Sequence, residues 1–159
     1  MTILGIDPGI ATTGYALITA EKGNIQGIRW GCITTPPHDH TAMRLHALHE
    51  QLREVITTYR PHRAAIEKLF FYNNAKTAMV VGEARGVILM TLHAMKLPIL
   101  ELTPLEVKRA VTGSGAADKK QMQKMLTLLF KLEEPPQPDD AADALAIAYC
   151  GVSGAYAMP

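Results

Sequence analysis

Three apolar runs, ILGID, TGYALITA and IQGIRWGCITT, succeed one another within the first 35 residues, each too short for a helix and set apart by Gly-containing breaks. That succession commits the start of the chain to a β-meander. From Thr41 to about Tyr59 the period changes: Leu45, Leu48, Leu52, Val55 and Ile56 recur at three- and four-residue steps, marking an amphipathic helix that Pro61 closes. HRAAIEK reads as a fourth strand. Asn74 can cap a long helix running to about Met95 and limited by Pro98, and PILEL reads as a fifth strand. A helix from Pro104, a GSG loop, a helix from about Asp118 to Leu132, a Pro-rich connection and a helix from about Asp139 complete the order. Strands in a meander, then alternating with helices, predict an α/β fold: a five-stranded mixed sheet flanked by helices on both faces.

A chain of 159 residues is most simply one domain, 1–159, large enough to bury roughly two thirds of its unfolded surface. No apolar stretch nears the roughly twenty residues of a membrane helix, so no membrane partner is expected. The opening MTILGIDPG lacks the basic, apolar and small-residue regions of a secretory signal, which makes a cytoplasmic location the expectation. Cys32 and Cys150 are too few and too distant for a disulfide framework and read as buried thiols. A net charge of +1 does not announce a phosphate-binding surface, but its distribution is uneven. Lys108, Arg109, Lys119, Lys120 and Lys124 cluster against Glu106 and Asp118, whereas from Leu132 onward there are acids and no Lys or Arg.

Four acids occupy chemically suggestive places. Asp7 stands where the first strand gives way to Pro8 and Gly9, and Glu67 ends the AAI run of the fourth strand. If those strands are neighbours, the two carboxylates meet at one end of the sheet. Asp140 and Asp143, three apart on a helix, share a face, while Asp139 is rotated by about a hundred degrees and reads as the helix N-cap after Pro138. Carboxylates drawn together repel unless a cation compensates them, and an all-oxygen donor set suits Mg2+ or Mn2+. Two such ions, roughly 3.5–4 Å apart, could activate water and stabilise the departing oxygen in phosphodiester cleavage. On spacing alone, the plainer alternative, that all four are caps and surface acids, stands equally open.

The segments LGIDPGIATTGYA, AAIEKLFFYNNAKTAMVVGEARG, VKRAVTGSGAADKKQMQKML and DDAADALAIA, in this order, closely resemble the RuvC family of Holliday-junction resolvases. The resemblance spans nearly the whole chain. It implies a ribonuclease H-like fold and a homodimer that nicks two symmetric strands of a four-way DNA junction, by attack of water on phosphorus, leaving 5′-phosphate and 3′-hydroxyl ends. It places the catalytic, metal-binding carboxylates at Asp7, Glu67, Asp140 and Asp143, with two ions of Mg2+ or Mn2+ per active site. Some members carry His at one position of the terminal pair; this sequence keeps Asp140. Lys108 and Lys119 match basic positions that the family uses near the scissile phosphate. Phe70 matches an aromatic that stacks on bases near the crossover, with Phe71 beside it. Asn73, Lys76, Arg109 and Lys120 are further candidate DNA contacts, and Arg85 has no assigned role. By the same resemblance, the RuvA and RuvB branch-migration proteins are expected partners.

Ala78, Gly82 and Gly86 recur every four residues on the long helix, while Met79, Val80, Val87, Leu89 and Met90 make much of its remaining surface apolar. Such a helix can bury one face on its own sheet and another in a dimer, through the stretch from Ala78 to Met90. His38 with His40 and His46 with His49 lack a matching cysteine pair and read as surface residues rather than a zinc site. Other functional classes compatible with parts of the sequence are an ATP-binding domain using the DPG turn, a related nuclease acting on structured RNA, and a DNA-binding module without catalysis. No basic tail follows the last helix before Met158 and Pro159, so weaker bulk attraction to DNA is expected.

Overall fold

The computed structural model describes residues 1–68 and 75–153, with the backbone alone for residues 75–77. The elements follow as β1 (Thr2–Asp7), β2 (Thr12–Glu21), β3 (Asn24–Thr34), α1 (Thr41–Tyr59), β4 (Arg63–Glu67), α2 (Ala75–Ala94), β5 (Ile99–Leu102), α3 (Pro104–Thr112), α4 (Lys119–Phe130) and α5 (Asp139–Val152). The predicted order of strands and helices is borne out. Within the sheet the strands lie as β3-β2-β1-β4-β5. The meander pairs β1 with β2 and β2 with β3 antiparallel, and the crossovers add β4 and β5 in parallel, giving the mixed sheet.

Alternation along β1 sorts its side chains onto two faces. Leu4 and Ile6 pack with Leu48, Leu52 and Ile56 of α1 and with Ala84, Ile88 and Leu92 of α2. Ile3 faces the other way, into a core built from Val107 and Val111 of α3, Met122 and Leu126 of α4, and Ala142, Ala146 and Ile147 of α5. Each large side chain fully buried in these cores, such as Leu48 or Leu126, contributes roughly 1.5–3 kcal/mol relative to exposure. Helices therefore cover both faces because both faces are apolar.

Helix α5 packs close against the sheet, and two glycines permit it. A Cβ at Gly5 would stand 2.3 Å from the Ala144 carbonyl oxygen, and one at Gly14 would stand 1.9 Å from the Asp140 carbonyl oxygen. The helix answers with small residues of its own: Ala141, Ala142, Ala144, Ala146 and Ala148 are buried along it. Its start departs from the sequence expectation. Pro138, not Asp139, occupies the N-cap, without a side-chain cap bond, so Asp139 falls on the first helical residue and its carboxylate is left for other partners. The Trp30 indole N–H on β3 donates to the Gln137 carbonyl at 3.1 Å and ties this connection to the sheet.

The other caps are local. Thr103 and Glu106 form a reciprocal capping box at the start of α3, and Asp118 and Gln121 do the same for α4. Helix α1 ends at Arg60 in the left-handed region just before Pro61. Cys150 is buried as expected, whereas Cys32 is only half-buried. None of the described helices is long and apolar enough to cross a membrane.

Candidate active site at the carboxyl ends of β1 and β4

Ile6 and Ile66 are partners in the parallel ladder, and each is followed by an acid that ends its strand. Asp7 and Glu67 therefore leave the sheet side by side. Their alternation from Ile3 and Ala65 puts both on the face covered by α3, α4 and α5. The turn after Asp7 is fixed by the Thr13 hydroxyl, which donates to the Gly9 carbonyl. A Cβ at Gly9 would lie 2.2 Å from the Thr12 carbonyl oxygen, so the turn requires glycine.

A cavity of about 240 Å3 opens there, lined by the acids Asp7, Glu67 and Asp143 together with Lys108 and Lys119. Its floor is core: Val107, Met122, Leu126 and Ile147 line it. Burial and the charges of Asp143, Glu67 and Asp140 push the Asp7 carboxyl up to about 8, with Lys119 opposing the rise. Glu67 is raised by burial and by Asp143, against Lys108. Asp143 is raised by burial, which Lys119 opposes and Asp139 and Asp140 reinforce. These carboxylates are therefore close enough to resist ionising together.

Asp140 belongs to the same group of charges but is not among the residues that line this cavity. With its backbone seated on Gly14, it lines a neighbouring cavity of about 420 Å3 with Gly9, Ile10, Ala11, Thr12, Val80 and Val81. Its charge still reaches Asp7 and Asp143. Asp139, read from sequence as a cap, instead pairs with Lys119 at 2.8 Å and accepts from Gln123 Nε2 at 3.1 Å. That bond holds the Lys119 ammonium above its ordinary pKa.

The donor set fits a hard divalent cation: it is oxygen-only, acid-rich, half-buried and undercompensated by two lysines. Among the described residues no three His, Cys, Asp or Glu side chains converge closely enough to cage an ion unaided. Mg2+ does not require such a cage, because it keeps several waters and binds through one or two carboxylates. The histidine pairs form no such group either; His38 meets Asp39, and His49 meets Thr91 and Glu50.

Of the remaining sequence candidates, Arg109 and Lys120 are exposed and lie outside the lining of this cavity. Phe70, Phe71, Asn73 and the Asn74 cap lie outside the described residues, as does the side chain of Lys76. Sequence reading missed Gly5 and Gly14, whose role shows only against the α5 backbone, and it left Arg85 unassigned. Arg85 is in fact bonded to the carbonyl of Glu67.

The family profile described as Crossover junction endodeoxyribonuclease RuvC matches residues 3–151. A Crossover junction endodeoxyribonuclease RuvC from Petrotoga mobilis is 52% identical over 151 residues, covering 94% of this chain and 92% of the relative. The fold superposes on the Thermus thermophilus RuvC structure with a TM-score of 0.87 at 33% identity, covering 98% of this chain and 95% of that one. A structure of T. thermophilus RuvC in complex with Holliday junction substrate gives 0.87 at 32% identity, covering 94% and 92%.

Proposed function

The chain belongs to the RuvC family of crossover junction endodeoxyribonucleases, and we propose that Asp7, Glu67, Asp140 and Asp143 are the carboxylates with which it hydrolyses DNA phosphodiesters. It is a Holliday junction resolvase with a ribonuclease H-like fold. The observation that carries the site assignment is the meeting of Asp7, Glu67 and Asp143 in one cavity with Lys108 and Lys119.

In this reading Asp7, Glu67, Asp140 and Asp143 would hold Mg2+ or Mn2+, two ions per site. Bound there, such ions supply a hydroxide-like water at neutral pH and charge compensation for the departing oxygen. The protein's own groups do the rest. Carboxylates fixed at strand ends and on the α5 backbone define where phosphorus must sit, and the apolar floor strengthens every charge interaction above it. Lys108 beside Glu67 and Lys119 beside Asp143 stabilise the charge that builds on the phosphate oxygens. Cleavage leaves a 5′-phosphate and a 3′-hydroxyl.

DNA contacts extend along the basic segment through Arg109 and Lys120, and through Phe70, Phe71, Asn73 and Lys76 after β4, with Phe70 stacking on bases at the crossover. Two copies pair through α2. Support for that pairing is the outward face of the helix, where Met79 is 71% and Met90 52% exposed and, among the described residues, a Cβ at Gly82 or Gly86 would meet nothing within 4 Å. One nuclease unit per copy then gives two sites for the two symmetric strands of the junction. The enzyme works in the cytoplasm on junctions delivered by RuvA and RuvB.

The test is cleavage of labelled four-way junctions, immobile and mobile, against linear duplex, with each metal and with chelator, and with the nicks mapped. Paired symmetric nicks that need metal and the junction are the expected result. Equal cutting of linear duplex, or cutting in chelator, would defeat the reading.

A further inference from the structure

The carboxylate of Glu67 is aimed by the backbone that carries it, and one side chain outside the cavity holds that backbone. Arg85 on α2 donates from Nε to the Glu67 carbonyl oxygen at 3.2 Å, and through Nη2 it pairs with Glu101 on β5. Its side chain is 17% exposed, well withdrawn from water. Glu67 is the last residue of β4, paired with Leu102, and Ile66 is paired with Glu101, so the guanidinium reaches across the sheet at the level where both strands end.

We propose that Arg85 is a positioning residue for Glu67, fixing the end of β4 to α2 and β5 so that the Glu67 carboxylate stands where an ion and a phosphate need it. The proposal rests on Glu67 being a metal-binding carboxylate. Two features separate this role from simple charge compensation. The contact is to the backbone carbonyl of Glu67 rather than to its carboxylate, and the charge partner of the same guanidinium is Glu101. The two bonds also need a planar fork that donates in two directions at once, which an ammonium group does not present in that geometry. Past Glu67 the ladder adds one more bond, from the Lys68 N–H to the Leu102 carbonyl at 2.6 Å. Loss of Arg85 therefore frees the strand end on its α2 side while the β4–β5 pairing remains.

The experiment compares the full chain with Arg85→Lys and Glu101→Gln. Mn2+ binding is measured by electron paramagnetic resonance without DNA, alongside metal-free junction binding and the metal and pH dependence of cleavage. Supporting groups around metal ligands typically change affinity by about 10–100-fold, so Arg85→Lys should weaken Mn2+ binding by about ten-fold. The metal concentration for half-maximal cleavage should shift in parallel, with junction binding and the shape of the pH profile unchanged. Glu101→Gln should move the same quantities in the same direction by less. Mn2+ binding and cleavage as in the wild type for both variants overturn the proposal. If Arg85→Lys fails to fold, Glu101→Gln decides alone, and unaltered Mn2+ binding there overturns it. Wild-type protein that binds no Mn2+ defeats the assignment of Glu67 itself, and this inference with it.

Discussion

Asp139 holds the Lys119 ammonium at 2.8 Å, from the first residue of α5 to the first residue of α4. A lysine proposed to meet DNA phosphate thus already has a carboxylate partner, one that is not among the four acids of the site. Both side chains are more than half exposed, and exposed pairs are worth about 0–1 kcal/mol, so phosphate can displace Asp139 at small cost. Asp139→Asn should therefore tighten metal-free junction binding by about two- to five-fold and steepen its dependence on log salt by up to about 0.9. Cleavage should persist. The measurement is a fluorescence-anisotropy titration at several salt concentrations, with Lys119→Gln as background; the same gain in that background would dissociate the effect from Lys119.

Asp7 gives the chain a pH-dependent stability of defined sign. Its carboxyl is raised from 3.8 to about 8 by burial, Asp143, Glu67 and Asp140, so in the window between those values the folded state binds a proton that the unfolded state has released. Stability then falls as pH rises through that window. In chelator, the wild-type Tm should decline from pH 5 to pH 8, and Asp7→Asn should flatten the decline and raise Tm at pH 8 by at least about 2 °C. Divalent metal should restore the wild type, because a cation takes over from the proton. A thermal-melt series with and without metal checks it. The same variant should bind junctions yet cut none, and brisk cleavage by Asp7→Asn would remove it from the mechanism.

Gly14 turns a packing requirement into a functional one. It is the β2 partner of Asp7, and any Cβ there would lie 1.9 Å from the Asp140 carbonyl oxygen. Backbone, unlike a flexible side chain, cannot step aside cheaply. Gly14→Ala should cost about 1–3 kcal/mol, read from urea unfolding, and should reduce cleavage beyond what the loss of folded protein explains, since the start of α5 must lift away from Asp7. A folded Gly14→Ala with wild-type turnover would show that the position of Asp140 tolerates movement.

These relationships also show where sequence reading stops. Elements were legible because their causes are local: the period of Leu48, Leu52 and Ile56 buries one side of α1, and Thr103 with Glu106 caps α3 within four residues. Asp7 and Glu67 could be named from their positions at strand ends, but their adjacency depends on β1 and β4 being parallel neighbours with Ile6 beside Ile66. Helical spacing put Asp140 and Asp143 on one face without revealing that Gly14 seats Asp140 beside a second cavity. Asp139 was misread by a single residue, because Pro138 takes the cap and releases that carboxylate to Lys119. The Arg85 bond to Glu67 spans 18 positions and joins α2 to β4, and no periodicity encodes it.

The outward face of α2 yields the last prediction. Ala84, Ile88 and Leu92 are buried in the core, while Met79 and Met90 stand exposed on the far side of the same helix. Glycine inside a helix costs up to about 1 kcal/mol relative to alanine, and among the described residues Gly86 meets no neighbour that would exclude a methyl group. Within one copy, Gly86→Ala should therefore stabilise the chain by up to about 1 kcal/mol. If a second copy lies against this face, the methyl group instead holds the two helices apart, and a charge at Met79 must be buried without a partner. Sedimentation equilibrium separates the cases. Met79→Asp should shift the dimer toward monomer by at least about ten-fold, equivalent to 1.4 kcal/mol, and Gly86→Ala should weaken pairing while raising the Tm of the monomer. Junction cleavage should then change character, because two strands cut by two unlinked copies yield singly nicked junctions as a separable intermediate. Wild-type sedimentation and paired nicking in Met79→Asp would move the pairing surface elsewhere on the molecule.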